Sequence, residues 1–156
     1  VYAGGIHESA MEAGKELALR TVAVTRAAMR DGVLPGGGIA LWRMRPLLSA
    51  ETARDDCHEA RAARRILHDA LAAPIRAILT NGGYSPAEKL AQLEGTGYAF
   101  GCDARTGAIV DMRASGIIDC AGVQLAALRH AVKSAALALT IDVVVHRRKP
   151  EFSSMP

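Results

Sequence analysis

The run Pro35-Gly36-Gly37-Gly38 constrains this chain more than any other feature, because no helix can continue through it. Proline withholds a backbone donor, and three successive glycines lose more conformational freedom on ordering than any other triplet. The segments on either side must therefore fold as separate elements joined by a turn. Upstream, Ser9 followed by Glu12 has capping-box spacing, and Met11, Ala18, Val22, Thr25 and Met29 fall on one helical stripe. This predicts a helix over 9–30, closed by Asp31-Gly32, where glycine permits positive φ.

Downstream, 39–48 is a short apolar segment around Trp42, and 50–56 reads as a polar connection. A second amphipathic pattern, with Leu67, Leu71, Ile75, Ile78 and Leu79, is interrupted by Pro74, which must break or kink it, and Asn81-Gly82-Gly83 ends it. Ser85-Pro86-Ala87-Glu88 combines an N-cap, a proline at the first helical position and an acid in the first turn, predicting a short helix to Leu93. The stretches 98–102 and 108–111 flank Asp103-Ala104-Arg105-Thr106-Gly107 as a small β-hairpin. Asp119 is placed to cap a last helix over 121–139. After it, Ile141, Val143, Val144 and Val145 supply the β-branched density of a strand.

Half of the 156 residues are apolar, enough for one ordinary domain, and the formal net charge is only +3. With aromatics at 4%, base stacking is poorly supplied, so the basic clusters Arg54, Arg61, Arg64, Arg65 and Arg147-Arg148-Lys149 read as solvated or inter-subunit faces rather than a nucleic-acid surface. Lys133 and Asp142 inside the most apolar stretch argue against a membrane span. Cys57, Cys102 and Cys120 are odd in number and far apart, which reads as reduced and cytoplasmic. Cys57-His58 and His68-Asp69 are adjacent pairs whose side chains diverge by about 100° on a helix, and no metal-ligand spacing recurs. The chain opens on Val1, which reads as processing or excision.

Three stretches together carry a family resemblance: Arg26-Ala27-Ala28 through Asp31-Gly32-Val33-Leu34-Pro35-Gly36-Gly37-Gly38-Ile39-Ala40-Leu41; Ala73-Pro74-Ile75-Arg76 through Asn81-Gly82-Gly83; and Thr106-Gly107-Ala108-Ile109-Val110-Asp111-Met112 with Gly116-Ile117-Ile118-Asp119. In order and spacing the chain resembles the carboxy-terminal part of a group I chaperonin-60 subunit. The resemblance implies a mainly α fold: a multihelical equatorial-domain-like core with a small β-hairpin and a C-terminal strand. It implies a descending intermediate-domain-like helix over 1–32, an equatorial-like half over 33–150 and a tail over 151–156.

By the same resemblance the nucleotide-binding positions are Gly36, Gly37, Gly38, Asp103, Ala104, Arg105, Ile117 and Asp119, with ATP and magnesium as the family's cofactors. Glycines admit a ribose or phosphate where a Cβ would collide, though a plain turn needs them equally. A carboxylate at Asp119 can accept from a ribose hydroxyl, though a helix N-cap uses the same residue type. The family often has asparagine where Asp103 stands and a small residue where Arg105 stands, departures that touch the adenine side. Arg20 aligns with the family's catalytic, water-positioning aspartate. A guanidinium cannot serve as a base at neutral pH, so no catalytic residue is assigned. Glu16, four residues before Arg20, predicts an ordinary helical ion pair. The phosphate-gripping Gly-Asp-Gly-Thr-Thr run and the apical domain of the family do not occur in these residues.

The implied role is ATP-dependent protein folding within an oligomeric ring, with the nucleotide site incomplete here. The alternative is a non-catalytic module that oligomerises or binds a partner. The C-terminal strand, apolar on both faces, predicts pairing with a second copy or a complementing chaperonin chain, and unfolded clients belong only to a full subunit.

Overall fold

Long-range backbone pairing in this protein is sparse, and the helices do most of the folding. The structure, a computed structural model, describes residues 4–5, 7–52, 57–143 and 145. The elements run α1 (Glu8–Asp31), β1 (Val33–Pro35), α2 (Ile39–Arg43), α3 (Arg45–Thr52), α4 (His58–Ala70), α5 (Ala73–Asn81), α6 (Pro86–Leu93), β2 (Phe100–Cys102), β3 (Ile109–Asp111), β4 (Ile118–Cys120) and α7 (Ala121–Ala138). The chain divides into two compact units, Val1–Gln124 and Leu125–Pro156, with the boundary inside α7.

In the first unit, two small antiparallel sheets hold the loops. Strand β1 pairs with β4 in the register Val33↔Cys120, Leu34↔Asp119 and Pro35↔Ile118. Strand β2 pairs with β3 as the expected hairpin, Phe100↔Asp111, Gly101↔Val110 and Cys102↔Ile109. Between them lies a core of Ile39, Ile75, Leu79, Leu90, Leu93, Cys102 and Met112, with Trp42, Tyr84, Ile109, Val110 and Ile117 packed against it. Helices α5 and α6 pack together, α6 meets β2, and α3 lies along α4.

Local sequence chemistry explains most boundaries. Gly32 closes α1 at φ 84°, its N–H reaching Ala28 O, and Ser85 Oγ accepts from Glu88 N to start α6. Pro74 does not kink a long helix; it splits it, standing at the second position of α5, where its missing donor is no loss. Ser9 does not cap α1. The extended residue is His7, so Ser9 is already helical and its hydroxyl makes no cap bond. Strand β1 falls where only a turn was expected, and 39–48 folds as two helices rather than one segment.

Asp119 is a second correction. It belongs to β4, opposite Leu34, because the chain between the hairpin and α7 is drawn into pairing with β1. Its side chain still serves the helix: Gln124 Nε2 donates to Asp119 Oδ2 at 2.8 Å. The expected strand at 141–145 is absent from 141–143 and 145; Val144 lies outside the described residues, as do 53–56, Arg147-Arg148-Lys149 and the tail 151–156. In the second unit α7 runs to Ala138 and closes through Leu139 N to Ala135 O and Thr140 N to Leu137 O. Ile141, Val143 and Val145 stand exposed. The stripe of α1 is also unburied, and Thr25 returns its hydroxyl to Thr21 O at 2.8 Å.

The hairpin turn is closed by its own aspartate. Asp103 Oδ1 accepts from Arg105 N at 2.9 Å and Oδ2 from the Thr106 hydroxyl at 3.0 Å, while Gly107 N donates to Asp103 O at 2.7 Å. The Arg105 backbone donor foremost, helped by the Thr106 hydroxyl, holds the Asp103 carboxyl below its usual value.

Two outcomes follow from this packing. A Cβ on Gly38, at φ 76°, would stand 2.9 Å from Ile75 N, whereas one on Gly32, at φ 84°, would meet nothing within 4 Å. Gly38→Ala should therefore lose on the order of 2 kcal/mol or more in urea unfolding, and Gly32→Ala only the strain of positive φ, about 1 kcal/mol. For Asp103 the depressed pKa means that its stabilisation is complete above the ordinary carboxylate value and vanishes as pH falls through the lowered folded value. The melting-temperature gap between wild type and Asp103→Ala should thus be widest near about pH 7 and close toward about pH 2. A gap that stays constant with pH would contradict this role.

Candidate functional site

The glycine loop is built so that backbone, not side chain, meets its surroundings. Gly36 N donates to Ile117 O at 2.9 Å, and a Cβ on Gly36 would stand 3.1 Å from that oxygen. Gly37, at φ 66°, faces Met112 Cε and lies near the carbonyl of Cys102, at 3.1 and 3.9 Å from its would-be Cβ. Gly38 starts α2 in the left-handed conformation, pressed onto Ile75. The loop thereby joins the β1–β4 sheet to the β2–β3 hairpin.

Around it fall the other positions singled out by sequence. Ile117 holds Gly36 directly, and Asp119, two residues after Ile117, is paired opposite Leu34. Asp103 follows Cys102, whose carbonyl lies beneath Gly37. Asp103, Ala104, Ile117 and Asp119 are half-buried, and Arg105 is exposed. Backbone contacts and strand register thus gather Gly36, Gly37, Gly38, Ile117 and Asp119 into one neighbourhood, and the turn 103–105 begins at its edge.

Chemically this wall offers little beyond shape. Both Asp103 oxygens accept within their own turn, and Gln124 engages Asp119 Oδ2. Glycine backbone and a half-buried carboxylate suit the close approach of a nucleoside. A magnesium donor set is another matter: among the described residues no group of three or more His, Cys, Asp or Glu side chains is placed to hold a metal ion.

Two contacts escaped sequence reading. Lys89 Nζ donates to Gly107 O at 2.7 Å and lies 5.4 Å from the Tyr84 ring, and a Cβ on Gly107 would collide with that ring at 2.5 Å. Tyr84 and Lys89 therefore clamp the hairpin turn from α6 and the loop before it. Glycine at 107, needed at φ 73°, was the available signal. Burial pushes the Cys102 thiol up, so it stays protonated, and all three cysteines are unpaired.

Elsewhere, Arg20 Nη2 is bonded to Glu16 Oε1 in the expected helical pair, with both side chains exposed. His68 and Asp69 depart from expectation: the side chains bend together, Nδ1 to Oδ1 2.9 Å, and Arg45 donates to His68 O at 3.0 Å from the other side. Adjacent helical residues diverge at Cβ, but imidazole and carboxylate are long enough to close the gap. That contact, first, holds the Asp69 carboxyl below its usual value. No helix among the described residues is long and apolar enough to cross a membrane.

Comparison with known proteins agrees with this architecture. A group III chaperonin in its open state superposes with a TM-score of 0.80 at 28% identity, covering 91% of this chain and 30% of that one. An open-state group II chaperonin monomer from Methanococcoides burtonii matches in fold, with a TM-score of 0.69 at 22% identity, covering 85% and 33%. The chain spans about a third of the length of these structures. The family model described as the TCP-1/cpn60 chaperonin family matches residues 4–149, nearly the whole sequence, and the chain belongs to that family.

Proposed function

We propose that this chain is the carboxy-terminal part of a group I chaperonin-60 subunit and forms one wall of an ATP pocket, serving a ring that folds proteins in the cytoplasm. Residues 1–32 act as the descending helix, 33–150 as the equatorial-like half and 151–156 as a tail. The observation that carries this reading is the hydrogen bond from Gly36 N to Ile117 O, which brings the glycine loop beside the strand bearing Asp119. The group I assignment rests on the wording of the three motifs.

The nucleotide-facing positions are Gly36, Gly37, Gly38, Asp103, Ala104, Arg105, Ile117 and Asp119. In this arrangement the glycines let the ligand approach the backbone, and Asp119 accepts from a ribose hydroxyl. ATP brings the phosphoanhydride whose cleavage drives the family's cycle, and among the described residues no cluster of three or more metal-ligating side chains awaits its magnesium. A specific observation favours the second reading, a non-catalytic module that assembles without turnover. Where the family has a carboxylate to position water, this chain has the Arg20–Glu16 pair, and a bound guanidinium neither accepts a proton nor ligates a cation.

Calorimetry with ATP and magnesium, with phosphate release followed in parallel, separates the two. The chain alone should show weak ATP binding, lost in Asp119→Ala, and no turnover. Supplied with a complementing amino-terminal half, Arg20→Asp should release phosphate about 10²- to 10⁴-fold faster than the unchanged chain. Turnover by the unchanged chain that depends on Asp119 would overturn the scaffold reading, and ATP binding indifferent to Asp119→Ala would overturn the pocket. Light scattering after size exclusion should show a homo-oligomer, reduced to monomer by Ile141→Lys with Val143→Lys, since those side chains are open to pairing.

A further inference from the structure

Helix α4 carries a line of basic and imidazole side chains on one face. His58, Arg61, Arg65 and His68 are spaced three, four and three residues apart, which confines them to an arc of roughly 80° and spreads them along about 15 Å of helix. Facing them is α3, and between the two helices lies an open groove of about 600 Å³ lined by Ser49, His58, Arg61, Ala62, Arg65 and His68. None of these belongs to the nucleotide-facing positions above.

The described lining of the groove is cationic. Among the described residues that line it none is a carboxylate, and neither Arg61 nor Arg65 shares an ion pair with a described residue; the side chains of Glu51, Asp55 and Asp56 lie outside the described ones. Of the acids on α4, Glu59 accepts from the Cys57 thiol, and Asp69 meets His68 Nδ1, with Arg65 adding a lesser attraction. Arg45 fixes the back of the groove by donating to His68 O, so α4 is held at a set distance from α3. Such an arrangement leaves two planar guanidinium forks, imidazole nitrogens and the Ser49 hydroxyl around one hollow.

We propose that the α3–α4 groove binds an oligophosphate group, a chain of two or three linked phosphates, gripped by Arg61 and Arg65. Tetrahedral phosphate oxygens match guanidinium forks two at a time, and a short anionic chain fits both the hollow and the linear spacing of the cations. An acidic peptide would satisfy the charge but lies flat across a surface rather than filling a concavity.

Inorganic tripolyphosphate, titrated by calorimetry without magnesium at about 100 mM salt, is the probe. Binding should weaken as salt rises and fall at least tenfold in Arg61→Ala/Arg65→Ala, with circular dichroism unchanged. Arg129→Ala, a substitution on α7, should bind like wild type, which separates the loss in the double variant from a general loss of positive charge. Amide resonances of 58–68 should move on titration. Absence of binding at this salt, equal affinity in the double variant, or displacement by a polyglutamate peptide at lower concentration than tripolyphosphate would each overturn the proposal.

Discussion

One hydrogen bond between distant parts of the chain, Gly36 N to Ile117 O, sets the geometry on which the other loops depend. It extends the β1–β4 ladder past Pro35, whose own nitrogen has no proton to give. Beyond it the chain must reverse at once to begin α2, and only residues without Cβ can do so against Ile75 and Met112. The three glycines are thus required by packing as well as by any ligand. A loop held this way from below is already ordered before anything binds, so little further entropy is lost on occupancy.

The candidate site divides into a part governed by shape and a part governed by charge, and the two have different standing. The shape is held by backbone: glycine loop, hairpin turn and β4 are fixed by backbone hydrogen bonds. The charged groups are engaged among themselves. Arg20 pairs with Glu16 on an exposed face of α1, and the carboxylates near the loop are occupied by Gln124, Arg105 and Thr106. Packing and reactivity rest on different atoms.

Elements governed by local chemistry were legible in the sequence. The α6 start at Ser85-Pro86, the split at Pro74, the Gly32 stop and the 100–111 hairpin each follow from residues within a few positions. What was not legible depends on partners far away. Strand β1 is three residues ending in proline and exists because β4 pairs with it; Asp119 was read as a cap for the same reason. The β-branched run near Val143 forms no strand in the described residues, because such a run needs a paired backbone as well as propensity. At the site, the glycines and Asp119 could be named from motif wording, yet the Tyr84 and Lys89 clamp could not, since a tyrosine before a helix and a lysine on it have no pattern of their own. The meeting of His68 with Asp69 shows the limit of reasoning from Cβ directions alone.

Helix α1 buries none of its side chains, and its described packing is with β4, next to its carboxy-terminal end. There the Asp31 carboxylate rests where a Cβ on Gly122 would stand, so a side chain at that glycine would have to displace it. A rod of 24 residues, about 36 Å long and anchored at one end, behaves mechanically as a lever with its fulcrum at Gly32. Tilting it by about 10° carries its far tip some ~6 Å, so small adjustments around the glycine loop emerge magnified at Glu8.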